Sequence, residues 1–138
     1  MEIPERRTEF GWPGDGGIGE RLVQQIIDGQ KWATCGFKAA YTADELAEVR
    51  GSVGELQAAG ACGSPPRCVI RVTEVFETTF GDPDPRLVAG EGDGDDVSRF
   101  QSDHRLAWHA EMPDAELTDG AVLVVELFEL VAVLAEDA

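Results

Sequence analysis

A single α+β domain built on a small curled sheet is the fold class this sequence predicts, and three stretches predict it. Ile18, Leu22, Val23, Ile26 and Ile27 recur at helical spacing, residues 67–80 are rich in Val, Ile, Thr and Phe, and residues 121–134 are apolar on both faces. The 138 residues suit one core, and no internal repeat interrupts the order of helices interleaved with strands.

Taken in order, residues 1–13 show little periodicity and read as an N-terminal arm, with Phe10 and Trp12 as anchors, ahead of the domain proper at 14–138. Residues 14–17 are loop chemistry. The helix at 18–27 carries Glu20, Arg21, Gln24 and Gln25 on its polar face and ends at Asp28-Gly29, where a C-cap glycine belongs. Residues 31–37 leave that cap as a short extended segment. Thr42 begins a short helix to Arg50, with Glu45 three residues on completing a capping box. A turn at 51–54 leads to a weak strand at 55–58, and the glycines and Pro65-Pro66 of 59–66 read as a hairpin-like loop.

In the strand at 67–80, Cys68, Ile70, Val72 and Phe76 fall on one face by strict alternation, with Glu74 intruding on it. Residues 82–85 end it. The acidic run 93–96 introduces a helix at 97–112 that sets Val97, Phe100, His104 and Trp108 on one face. The closing run 121–134 is expected as a central strand buried on both sides, although its periodicity alone would also fit a buried helix.

Eleven Lys and Arg against 27 Asp and Glu give a net charge of −16. That surplus argues against gripping nucleic acid by bulk phosphate neutralisation, and against docking on an anionic membrane. The start of the chain lacks the apolar stretch of a secretory signal, and the most apolar segment, interrupted by Glu126 and Glu129, is too short to span a bilayer. A cytoplasmic protein is expected. Cys35, Cys62 and Cys68 form no C-x-x-C pair and are expected as reduced thiols in or near the core. A metal site would need acids and one of only two histidines, His104 and His109, recruited from afar. No metal and no cofactor is expected.

Two stretches carry candidate chemistry. Lys31 and Thr34 lie three residues apart after a helix, and a Lys amine can take the proton that makes a Thr hydroxyl a nucleophile. On an extended strand the two begin on opposite faces, so a bend is needed to bring them together. Glu91 stands between Gly90 and Gly92, with the backbone freedom to be aimed at a pocket. Arg71 is a candidate partner for a glutamate on the strands, Glu74, Glu126 or Glu129, as a buried pair or as pocket lining. His104, on an apolar face, reads as a hydrogen-bonded core residue. Asp93, Asp95 and Asp96 do not complete a calcium loop. Gly14, Gly16 and Gly19 satisfy G-x-G-x-x-G, but no strand precedes them, so the dinucleotide-binding reading fails.

Four stretches in order resemble the ASCH domain family, a branch of the PUA-like β-barrels. Residues 29–34 (GQKWAT) are similar to its G-x-K-x-x-T signature, and residues 70–75 (IRVTEV) to its central strand. Residues 90–93 (GEGD) stand ahead of the helix bearing Phe100, His104 and Trp108, as in longer members, and residues 123–131 resemble the closing strand. The likeness covers roughly residues 10–131. It departs at Ala89, where long members often have a first Glu, at Cys35, where Arg or Ser is commoner, and at Gly54-Glu55, where Gly-Asp is usual.

The resemblance implies a mainly β, PUA-like small β-barrel with flanking helices, whose cleft faces nucleotides or RNA. It also implies an amidohydrolase acting on an acylated nucleoside such as N(4)-acetylcytidine, with Lys31, Thr34 and Glu91 as the catalytic set. Trp32, Phe37 and Tyr41 are candidate walls for a neutral nucleoside, and Arg71 and Glu74 candidate polar contacts. The alternatives are a non-catalytic RNA-binding or regulatory module, a ribonuclease of the same family, and a partner-binding protein with a vestigial cleft. The net charge favours a small neutral nucleoside-like molecule over RNA.

Overall fold

The computed structural model describes residues 2–111 and 117–134. Its strands are β1 (Arg7–Phe10), β2 (Ala33–Phe37), β3 (Leu56–Ala61), β4 (Cys68–Thr79) and β5 (Val122–Val133). The helices are α1 (Ile18–Ile27), α2 (Ala43–Arg50), α3 (Pro85–Val88) and α4 (Val97–Glu111), with a 3₁₀ turn at Lys38–Ala40 and a π turn at Ala89–Asp93. The sheet order is β1-β3-β4-β5-β2, antiparallel except for the β1–β3 pair. β1 and β2 are its edges, so the sheet is mixed and open rather than closed into the expected barrel. Residues 112 and 135–138, expected as a helix end and as the domain's C-terminus, lie outside the described residues.

Part of the expected arm is structural. Arg7–Phe10 pair in parallel with Ala58–Ala61, and Phe10 is buried. The strand signal of 55–58 extends into the expected loop, ending at Ala61, because Cys68 and Val69 pair with Ala59 and Ala58. Asp15 organises the glycine loop by accepting hydrogen bonds from the amides of Gly17 and Gly19, both 2.9 Å. The anion at this helix start is therefore the chain's own, which supplies a physical reason for rejecting the dinucleotide reading. Gly19 has to be glycine, since a Cβ there would strike the Phe10 carbonyl where α1 lies on β1. The Thr42–Glu45 capping box forms as expected.

The face assigned to β4 needs correction. The register shifts between Val72 and Glu74, so Thr73 is a bulge residue. Before it, Cys68 and Ile70 face α1 and pack with Val23, Ile26 and Phe128; after it, Phe76 joins the opposite core of Leu87, Phe100, Trp108 and Val125. Glu74 therefore lies with Phe76, where Arg86 of α3 pairs with it at 2.8 Å and stacks on the Phe76 ring at 4.5 Å. β5, bonded on both sides by β4 and β2, separates the two cores, with Leu123, Val125 and Leu127 on one side and Phe128 on the other.

Candidate active site

Lys31 sits between the α1 cap and β2, and only 3% of it is exposed. An unpaired buried ammonium would cost several kcal/mol. Its Nζ donates to Glu91 Oε1 at 2.5 Å and to the Ala33 carbonyl at 2.7 Å, and stands 5.7 Å from the Phe10 ring centre.

Glu91 reaches Lys31 because the π turn is seated on β2. The Trp32 amide donates to the Gly90 carbonyl at 2.8 Å. A Cβ on Gly90 would collide with Ala33 Cβ and lie 3.0 Å from the Trp32 ring, so only glycine permits this approach. Gly92 reverses the chain with φ +89°, a conformation that favours glycine. Both glycines around Glu91 thus have a steric role, and the π turn replaces the expected loop.

The other oxygen of Glu91 meets His104. Nε2 of His104 stands 2.7 Å from Glu91 Oε2, and Nδ1 stands 2.9 Å from the Phe100 carbonyl. A carbonyl only accepts, so Nδ1 carries a proton. Burial disfavours charge on this ring, but Cys35 and Glu91 outweigh it and hold His104 protonated well above the ordinary imidazole range. Burial also disfavours the Glu91 anion, yet the charge of Lys31 and the hydrogen bond from His104 lower its pKa to about 2. Cys35 completes the group. Burial pushes its thiol up, and its sulfur lies within 4.8 Å of the ligand atoms of Glu91 and His104, a grouping with the donor types of a metal centre.

These groups line a cavity of about 600 Å³ between α1, the edge strand β2, the π turn and α4. Thr34 borders it too, from the face of β2 opposite Cys35. Three of the chain's eleven Lys and Arg line it, Arg21, Lys31 and Arg99, together with protonated His104. They offset the carboxylates of Glu9, Glu91, Asp93 and Asp103, leaving a balanced pocket in a very acidic chain. Trp12 and Trp108 supply apolar wall.

The family model described as ASCH domain matches residues 10–132. The chain belongs to the ASCH domain family. Solved structures agree on the fold of this ASCH domain. Protein EF3133 from Enterococcus faecalis V583, of family model DUF984, is 24% identical with a TM-score of 0.77, covering 100% of this chain and 86% of its own. An ASCH domain from Lactobacillus crispatus JV V101 is 24% identical with a TM-score of 0.73, covering 92% and 80%. A search of curated proteins finds no match.

Of the residues expected at the site, this ASCH domain brings Lys31, Thr34 and Glu91 to one cavity. Lys31 and Glu91 bond directly; the hydrogen bonds of Lys31 go to Glu91 and Ala33, not to Thr34. The other five lie elsewhere. Trp32 is 37% exposed and contributes its main chain, anchoring Gly90 on one side and accepting from the Phe128 amide on the other. Phe37 and Tyr41 border a second hollow of about 800 Å³, and the Phe37 ring centre lies 6.4 Å from that of Trp108, which lines the cavity. Arg71 is exposed and pairs across the sheet with Glu129 at 3.2 Å, so the pair is not buried and borders neither of these two hollows. Glu74 is exposed on Arg86. His104 is hydrogen-bonded, as read, but lines the cavity rather than belonging to the core alone. Cys35 joins it there. The signal for both was a protonatable ring one helical turn from Trp108, and a strand position next to Thr34.

Proposed function

We propose that this ASCH domain is an amidohydrolase of a small, neutral, acylated nucleoside-like amide such as N(4)-acetylcytidine. The observation that carries the reading is the buried Lys31–Glu91 pair at 2.5 Å, facing a charge-balanced cavity that Thr34 also lines. Such a cavity suits a ligand without net charge, and two tryptophans offer its planar part an apolar surface.

The chemistry runs on three groups. The proton shared along the Lys31–Glu91 bond moves to Glu91, leaving a neutral Lys31 amine that accepts the proton of Thr34 as Oγ1 attacks the amide carbonyl. Glu91 then protonates the leaving nitrogen, and the C–N bond breaks to leave an acyl-Thr34 ester. Water attacks that ester and gives a proton to Glu91, Lys31 donates a proton to Thr34 Oγ1 as the acyl–oxygen bond breaks, and the Glu91 proton returns to Lys31, restoring the starting pair. His104 holds Glu91 in place through its second oxygen. Substrate entry brings Thr34 and Lys31 into contact, as catalytic hydrogen bonds often tighten only in the complex.

Steady-state hydrolysis of N(4)-acetylcytidine tests this. Thr34→Ala, Lys31→Ala and Glu91→Ala should each lose about 10²–10⁴-fold in kcat/KM with the fold intact by circular dichroism. An inactive parent, or unchanged rates in all three, overturns the reading. RNA affinity falling steeply with salt, in an inactive parent, would favour the binding module instead.

A further inference from the structure

Cys35, Glu91 and His104 come from three separate elements, β2, the π turn and α4, and their ligand atoms converge within 4.8 Å inside the cavity. We propose that this cluster is a binding site for a zinc-class transition metal, with three protein ligands and a fourth position open to the cavity. The inference goes beyond the amidohydrolase reading and does not rest on it.

The donor set fits the metal class. A thiolate, an imidazole and a carboxylate select zinc and its neighbours over magnesium or calcium, which prefer all-oxygen sites. Three ligands plus an open position is the arrangement zinc takes where a water or a small ligand completes the tetrahedron. The hydrogen bonds around the ligands are also in place. His104 donates Nδ1–H to the Phe100 carbonyl at 2.9 Å, which orients the ring and leaves Nε2 to ligate. Glu91 is anchored by Lys31 through Oε1, leaving Oε2 on the side of His104.

Metal entry replaces the direct Nε2–Oε2 hydrogen bond of 2.7 Å. Bonds of about 2.0 Å from the ion to each atom require the two to separate by a few tenths of an ångström. The proton between them and the Cys35 proton leave to solvent as the ion arrives, and coordination keeps the thiol deprotonated. The charge of Lys31 opposes the ion; the two anionic ligands, Glu91 and the Cys35 thiolate, offset it.

Metal titration of the full chain tests the site by binding rather than by activity. Zinc should bind one per chain with a Kd below about 1 μM. Cobalt should bind in its place with an intense near-ultraviolet thiolate-to-cobalt band. Cys35→Ser, which preserves size, should abolish that band and weaken zinc binding at least about 100-fold, and His104→Gln should weaken it similarly. Cys62→Ser should change neither. Cobalt binding without the band, a Cys35→Ser protein that binds zinc as tightly as the parent, or no zinc binding at 100-fold above that Kd would overturn the proposal.

Discussion

Glu91 holds two cations at once, so Glu91→Gln keeps the side chain's shape while removing the charge shared by Lys31 and His104. The folded carboxyl sits at about 2 against an ordinary 4.5, so its stabilisation is fully present above about pH 4.5 and is lost as pH falls toward 2. His104 is raised above its ordinary 6.5, so its share is complete below that value and is lost as pH rises through the folded pKa. The cluster therefore contributes most between these two ordinary values. Urea denaturation of parent and Glu91→Gln should differ by on the order of 3 kcal/mol in that window. The difference should close near pH 2, and the His104 ring resonance should titrate at lower pH in the variant. At this scale the sequence exposed Lys31 and Glu91, because a Lys after a helix cap and a Glu between glycines are locally unusual. It hid His104, since spacing on a helix reports the buried face and not which partner waits opposite.

At the scale of elements, the decisive piece is the π turn that carries Glu91. Gly90→Ala forces a Cβ against Ala33 and Trp32, lifting the turn from β2 and drawing Glu91 away from Lys31. A stability loss of about 1–3 kcal/mol is expected by chemical denaturation, with His104 losing its raised pKa even though Glu91 is still present. An unshifted His104 would mean that the turn does not depend on this contact. Helix α1 and its cap, α2 with its capping box, and the long strands β4 and β5 were legible because each repeats a local signal over several turns or pairs. β1 was hidden because four residues carry too little alternation and its pairing with β3 is parallel and distant in sequence. The Thr73 bulge was hidden for a related reason: alternation along β4 looks continuous in the sequence, and only pairing with β5 reveals the extra residue.

Across the whole molecule, the acidity is a property of the outer surface, while the cavity collects cations enough to balance its carboxylates. The open sheet also leaves two edges, and β2 manages its own in an unusual way. The Trp32 carbonyl turns toward β5, so the next carbonyl, Ala33, turns outward, and Lys31 Nζ occupies it. That carbonyl is sealed from solvent, Ala33 being fully buried where the π turn is seated on β2, so water cannot take the place of the lysine. The lysine that serves the cavity thereby also completes the hydrogen bonding of the sheet's edge. Lys31→Met, which keeps bulk but donates nothing, should lose about 1–3 kcal/mol or more in urea denaturation, because the Ala33 carbonyl and Glu91 both lose their donor. Selection on this one side chain would then act on stability as well as on chemistry.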